Sequence, residues 1–187
     1  MSGPQFRRIR APFDDLTARS LRAGERVFVS GALLAARDAA HKRLVELLEE
    51  GAPLPVDLSG QVVYYVGPSP ARPGRVIGSA GPTTAGRMDA YTPRLLDAGL
   101  KGMIGKGYRS PQVIGAMVAH GAPYLAAVGG AGALIARSIK KYTVLAWPEL
   151  GPEALAAMEV EDFPAIVVID SLGNDQYAMG QRPYRRL

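Results

Sequence analysis

The chain has 187 residues, of which 48% are hydrophobic and 21% charged; this suits one domain with a sizeable core and argues against disorder. It has no cysteine, so disulfides, a thiolate nucleophile and any Cys-ligated zinc or iron–sulfur centre held by this chain alone are excluded. The net charge of +5 gathers at the two ends, in Arg7, Arg8 and Arg10 and in Arg182, Arg185 and Arg186.

These basic ends read as solvated tails or as docking points for an acidic partner. Nucleic-acid binding is the weaker option, because no basic and aromatic stripe accompanies them. The N-terminus has basic residues but no apolar stretch after them, so no secretory signal is expected. No apolar run reaches the roughly 18 residues that crossing a bilayer requires. No membrane association and a cytoplasmic location are the expectations.

In chain order, Arg26–Ala35 reads as a strand carrying small residues. A helix follows over Asp38–Glu50, with Ala40, Leu44, Leu47 and Leu48 as its apolar stripe and Gly51 as its stop. Gln61–Val66 (QVVYYV) is a short strand rich in β-formers. Gly67–Arg87 holds five glycines and four prolines, which predicts an ordered loop crossing a sheet edge. A helix lies within Thr84–Ala98, starting near Thr92 or kinked there by Pro93.

Met103–Gly105 is the next short strand, and Ser110-Pro111 opens a helix that runs to Gly121. Tyr124–Val128 is a strand. Gly129–Lys141 reads as a loop plus helix with Leu134, Ile135 and Ile139 inward. Tyr142–Ala146 and Ala165–Asp170 complete the strands. Alternating strands and helices predict an α/β domain, and the β-rich first half predicts a second layer of sheet.

Three clusters stand out chemically. In Ser79–Arg87 (SAGPTTAGR), glycines allow close backbone approach, and Thr83 and Thr84 offer hydroxyls beside amides at an expected helix start, where anions are favoured. Arg87 adds a planar fork for a carboxylate. The plainer reading is a helix start capped by threonine. It is not a P-loop, since no Gly-Lys-Ser/Thr follows.

Lys106 between Gly105 and Gly107 is either within reach of a substrate or an ordinary turn lysine. Arg37-Asp38, with His41, stands at a strand-to-helix junction, where ligand groups concentrate in α/β folds. Its plainer reading is a salt-bridged helix start with an exposed histidine. Gly129, Gly130 and Gly132 lack dinucleotide spacing and read as a tight strand–helix turn. Asp170 and Ser171 have no histidine after them to complete a hydrolase triad. His41 and His120 are too few and too far apart for a metal site. What remains, two arginines, a lysine and hydroxyls, suits the holding of a small polycarboxylate.

Five segments, RDAAH (Arg37–His41), LPVDLSGQVVYYVGP (Leu54–Pro68), GPTTAGRMD (Gly81–Asp89), MIGKG (Met103–Gly107) and AVGGAGAL (Ala127–Leu134), resemble, in this order, the C-terminal or β-subunit region of iron–sulfur hydro-lyases. These are the class I fumarases and L-tartrate dehydratases, and the resemblance runs from about Arg19 to Gly180. It implies a swivelling β/β/α fold, with layered sheet and flanking helices. It also implies a [4Fe–4S] cluster ligated by the cysteines of a separate α subunit, with an α2β2 assembly.

The resemblance further implies that Arg37 and Arg87 grip the carboxylates of a small dicarboxylate substrate and that Lys106 contacts it. Thr83 becomes the base at the carbon losing its proton, supported by Thr84. Fumarate hydratase is the leading activity. Tartrate dehydratase or another dicarboxylate hydratase is the alternative, and a non-catalytic dicarboxylate-sensing module is the reading from another class. The chain departs from the family pattern in being one residue shorter between Arg87 and Lys106, with Pro93 inside the usual helix.

Overall fold

A computed structural model describes residues 6–185. Its single sheet runs β1-β2-β3-β4-β5-β7-β6, and an additional β2–β7 pairing closes β2, β3, β4, β5 and β7 into a five-stranded barrel. β1 (Arg7–Ala11), β2 (Arg26–Ala35), β3 (Val62–Tyr64), β4 (Gly102–Gly105) and β5 (Tyr124–Ala126) run parallel. β7 (Leu155–Ile169) returns antiparallel to β2 and β5 and also carries the edge strand β6 (Ile139–Ala146). The chain is therefore α/β as expected, but its second sheet layer is the far wall of one closed sheet.

Strand periodicity sorts the core into two compartments. Val62 and Tyr64 point into the barrel, beside Val27, Leu33, Ile104 and Phe163. Val63 and Tyr65 point outward, onto a cluster that takes Leu44 from α2 (Asp38–Glu50), Leu95 and Leu96 from α3 (Thr92–Asp97), and Val113 and Met117 from α4 (Pro111–His120). Each fully buried Leu or Met contributes about 1.5–3 kcal/mol of transfer free energy. Tyr64 keeps its hydroxyl satisfied inside the barrel by donating to the Ala80 carbonyl at 2.6 Å, and burial pushes its pKa up.

The helix signals act as read. Ser110 caps α4 by accepting the Val113 amide, Pro111 stands in the first turn, and Gly121 ends the helix in the left-handed region. Pro93 falls in the first turn of α3 and causes no kink. The stretch before it, Ala85–Met88, is a separate 3₁₀ turn.

Several elements differ from expectation. β3 and β5 are shorter than predicted. In Gly129–Lys141 the helical part is only α5 (Gly132–Ile135) and a 3₁₀ turn, and β6 already begins at Ile139. Ile135 and Ile139 are buried there, but Leu134 is 63% exposed, because so short a helix has one inward face.

The basic N-terminal stretch is not a tail: Arg7, Arg8 and Arg10 lie on β1, and Arg8 donates twice to Asp162 at 3.0 and 3.2 Å. Helix α1 (Asp15–Ser20), capped by Asp14, follows it unpredicted. At the other end Arg182 belongs to a 3₁₀ turn after α6 (Gln176–Gln181); Arg186 lies outside the described residues.

The largest departure is β7, 15 residues long where only Ala165–Asp170 was predicted. Acidic residues and Pro164 hide its first half in the sequence. The strand tolerates them through an irregularity: Asp162 sits at φ 47°, and the register against β2 shifts between Val29 and Gly31. This bend lets one strand pair with β6 at its start and β5 at its end.

Candidate active site

Parallel strands that lie side by side bring their C-terminal ends to one edge, and the chain leaves that edge in loops that carry the chemically marked residues. Arg37 follows β2, Gly67–Arg87 follows β3, Lys106 follows β4 and Gly129–Gly130 follow β5.

Past Tyr64 and Ile104 the strands β3 and β4 part, leaving backbone groups without a partner. The segment Pro82–Ala85 fills the gap. Pro82 bridges Val66, the Thr83 amide donates to the Tyr65 carbonyl at 2.7 Å, and the Lys106 amide donates to the Thr83 carbonyl at 3.2 Å. The Ala85 amide then donates to the Lys106 carbonyl at 2.8 Å. Thr83, Thr84 and Lys106 are thus held in one short ladder by main-chain bonds alone, leaving all three side chains uncommitted to it.

The expected threonine cap and helix dipole are both missing at this edge. Thr84 precedes the 3₁₀ turn Ala85–Met88, but its hydroxyl makes no capping bond. One turn of 3₁₀ helix has too few aligned peptides for a useful dipole, so the positive charge at this edge comes from side chains. The glycine turn after β5 is tight, as expected, with the Ala131 amide donating to the Val128 carbonyl at 3.3 Å. It packs against the loop after β3, where the Ala80 amide donates to the Gly132 carbonyl at 3.1 Å and a Cβ on Gly132 would come within 2.8 Å of the Gly81 nitrogen.

Arg37 precedes the first turn of α2, and its own side chain does not cap that helix. Glu153, from the β6–β7 connection, takes over: one carboxylate oxygen accepts the Ala39 amide at 3.2 Å and the other lies 3.3 Å from the Arg37 guanidinium. Gly67 permits the guanidinium to lie across the backbone, since a Cβ there would approach the Arg37 Nη1 at 2.5 Å. Asp38, in the first turn of α2, sits 3.8 Å from Arg37 and accepts from Arg87 Nε at 2.8 Å. Arg37 and Arg87, far apart in sequence, therefore meet at one carboxylate.

Lys106 reaches outward at this edge, its Cδ 3.7 Å from where a Gly129 Cβ would stand. Thr83 is half-buried, while Thr84, Arg87 and Lys106 are exposed. Three cationic groups and the threonine hydroxyls thus occupy one edge, with two acidic side chains orienting the arginines. Guanidinium and ammonium groups with hydroxyls beside them are the donors that suit a carboxylate-bearing anion.

Sequence reasoning misplaced one residue and missed two. His41 is fully buried, not exposed. Its Nδ1 lies 2.8 Å from the Arg37 carbonyl, its ring packs edge-on against Tyr65, and burial holds its pKa down to about 4. Glu153 was missed because it follows Arg37 only across the fold. Arg109 was missed although it stands three residues after Lys106; its side chain is wholly enclosed and ion-paired to Asp89 at 2.9 Å. Asp170, set aside in the sequence, is a turn residue that accepts the Leu172 and Asn174 amides, each at 3.0 Å. Among the described residues no group of three or more His, Cys, Asp or Glu side chains gathers to hold a metal, and no helix is long and apolar enough to cross a membrane.

Residues 10–180 match the family described as Fumarase C-terminus. Over 157 residues the chain is 46% identical to fumarate hydratase 2 of Leishmania major, a match covering 83% of this chain and 28% of that protein. It is 45% identical over 152 residues to the anaerobic class I fumarate hydratase of Escherichia coli, covering 80% of this chain and 28% of the relative. A putative L(+)-tartrate dehydratase subunit beta of Methanocaldococcus jannaschii is 35% identical over 185 residues, covering 94% and 95% of the two chains. The chain thus spans little more than a quarter of the length of those two fumarate hydratases, and nearly the full length of the beta subunit.

Proposed function

The chain belongs to the Fumarase C-terminus family, and we propose that it works as the β half of a two-chain hydro-lyase that interconverts malate and fumarate. The observation that carries this reading is the meeting of Arg37 and Arg87 at the Asp38 carboxylate, beside the ladder that joins Thr83 to Lys106. A site that already draws two guanidinium groups around one internal carboxylate suits a ligand with two of its own.

A [4Fe–4S] cluster is part of the reading, but the residues of this chain do not fit one: the sequence has no cysteine, and no metal-holding group exists among the described residues. The proposed holder is a cysteine-bearing α subunit in an α2β2 assembly, located in the cytoplasm. Swivelling of this domain over that subunit belongs to the same proposal.

The work assigned to this chain is binding, orientation and proton movement. Arg37 and Arg87 clamp the substrate carboxylates, which converts encounter into a fixed geometry. Lys106 adds a point charge where negative charge develops as the carbon beside a carboxylate loses its proton. Thr83 Oγ, ionised beforehand, is the proposed acceptor of that proton. The hydroxyl on the adjoining carbon leaves with the C–O bonding pair on the side closed by the partner, so that proton and hydroxide together account for the water lost. An alkoxide needs strong stabilisation, and supplying it is the role proposed for Lys106, Arg37 and Arg87 once the partner closes the site. Thr84 forms the adjoining wall.

The test is co-expression with a cysteine-bearing α partner under anaerobic conditions, followed by an assay of malate dehydration. The assembled pair is expected to turn over malate and the isolated chain to be inactive. Turnover by the isolated chain would overturn the reading. Tartrate dehydration is the second reading, favoured by the near full-length match to the beta-subunit relative. Presenting tartrate and malate to the same assembled pair separates the two.

A further inference from the structure

Arg109 is buried to the last atom of its side chain, yet it carries a full charge. Its Nε lies 2.9 Å from Asp89 Oδ1, Nη1 donates to the Tyr65 hydroxyl at 3.0 Å, and Nη2 donates to the Thr92 hydroxyl at 2.6 Å. The rings of Tyr65 and Tyr124 flank the guanidinium at 5.4 and 5.3 Å. Asp89 turns its other oxygen to the Ser110 amide at 2.7 Å, and the Tyr124 hydroxyl donates to the Gly107 carbonyl at 3.0 Å.

A buried ion pair adds little to stability by itself, because desolvation consumes most of the attraction, and apolar side chains of like volume often do as well. What an apolar side chain lacks is a rigid fork that sets distances between separate pieces of chain. The pieces held by this fork are the ones that carry the candidate site. Asp89 stands two residues after Arg87. The Tyr65 carbonyl receives the Thr83 amide, while the Tyr65 hydroxyl receives Arg109. Arg109 itself follows Lys106 and Gly107 in the same turn.

We propose that Arg109 is a positioning residue for the dicarboxylate site, a buried fork that keeps the Thr83–Arg87 segment and the Lys106 turn in register through Asp89 and Tyr65. It touches no substrate and acts only through the residues it spaces. The proposal rests on the assignment of Thr83, Arg87 and Lys106 to substrate.

A double-mutant cycle in the assembled two-chain enzyme tests it. Arg109→Lys keeps the charge and removes the fork. It lowers kcat/KM about a hundredfold, the scale on which a misplacement of about 1 Å acts. In a Lys106→Ala background the same substitution costs less than about tenfold, because the residue being positioned is gone. The shift in Tm is equal in both backgrounds.

Equal fold-losses in the two backgrounds would mean that Arg109 supports the fold only, and would overturn the proposal. Tyr65→Phe removes one bond to the fork and leaves the ion pair intact, so it is run through the same cycle. If Arg109→Lys does not fold, coupling of Tyr65→Phe to Lys106 supports the proposal and additivity overturns it. If Lys106→Ala and Arg87→Ala each leave kcat/KM unchanged, the assignment of the site fails, and the proposal fails with it.

Discussion

Arg87 donates from Nε to Asp38 Oδ1 at 2.8 Å, tying the loop after β3 to the first turn of α2. The contact uses Nε, and the terminal nitrogens of Arg87 make no hydrogen bond among the described residues. Asp38 also neighbours Arg37, so one carboxylate sets the separation of the two guanidinium groups.

Arg87→Lys is expected to keep the charge and lose the fork. One charge-assisted hydrogen bond is worth about 1.5–3 kcal/mol, so kcat/KM for the dicarboxylate falls about 10- to 150-fold in the assembled enzyme. The loss shows mainly in KM if the clamp serves ground state and transition state alike. A variant with unchanged kinetics would remove Arg87 from the substrate's surroundings.

Thr83→Val deletes the hydroxyl and keeps the shape. Because Thr83 holds its place through its amide and carbonyl, the fold is expected to be undisturbed. Turnover drops by about 10²–10⁴, the usual contribution of a positioned base, with KM little altered. Full activity in this variant would assign proton abstraction elsewhere.

Glu153→Gln and Glu153→Ala separate two roles of one side chain. Gln keeps an acceptor for the Ala39 amide and loses the charge beside Arg37, so KM rises while Tm holds. Ala loses the cap as well and costs about 1 kcal/mol in stability, measured by urea denaturation. Identical Tm and identical KM for the two variants would contradict this division.

His41 gives a pH signature. Burial holds its folded-state pKa to about 4, against an ordinary value of 6.5, so the folded protein favours the neutral ring. The unfolded chain takes up the proton first as pH falls. The resulting stability is complete above pH 6.5 and is lost between pH 6.5 and about 4, amounting to about 3 kcal/mol. His41→Asn is expected to flatten that part of a chemical-denaturation profile. An unchanged slope would show that other groups govern it.

Much of the fold was legible wherever one residue and its near neighbours decide the outcome. Ser110, Pro111 and Gly121 bound α4 because capping is local, and β3 was visible in a run of β-formers. Its alternation separates Val62 and Tyr64 from Val63 and Tyr65. β7 was half hidden, because its bulge at Asp162 and its Pro164 pass for a break unless β2 is already known to lie beside them.

The candidate site shows the same division. Arg37, Thr83, Thr84, Arg87 and Lys106 could be picked out of the sequence because each sits in a glycine-bearing or junctional stretch whose composition is unusual by itself. His41 seemed a surface residue at a helix start, since helical spacing does not reveal that Tyr65 and Tyr91 close over its face. Arg109 and Glu153 carried no local mark at all.

The sequence by itself thus determined which residue types were available, the starts and stops of the main helices, the absence of any thiolate ligand, and the loops that carry charge. Only the tertiary structure decided that the sheet closes through β2 and β7, that two arginines share Asp38, and that Arg109 spans the segments beneath them. The reason is physical: capping and alternation act over a few residues, whereas barrel closure and buried ion pairing join groups whose separation along the chain bears no relation to their distance in space.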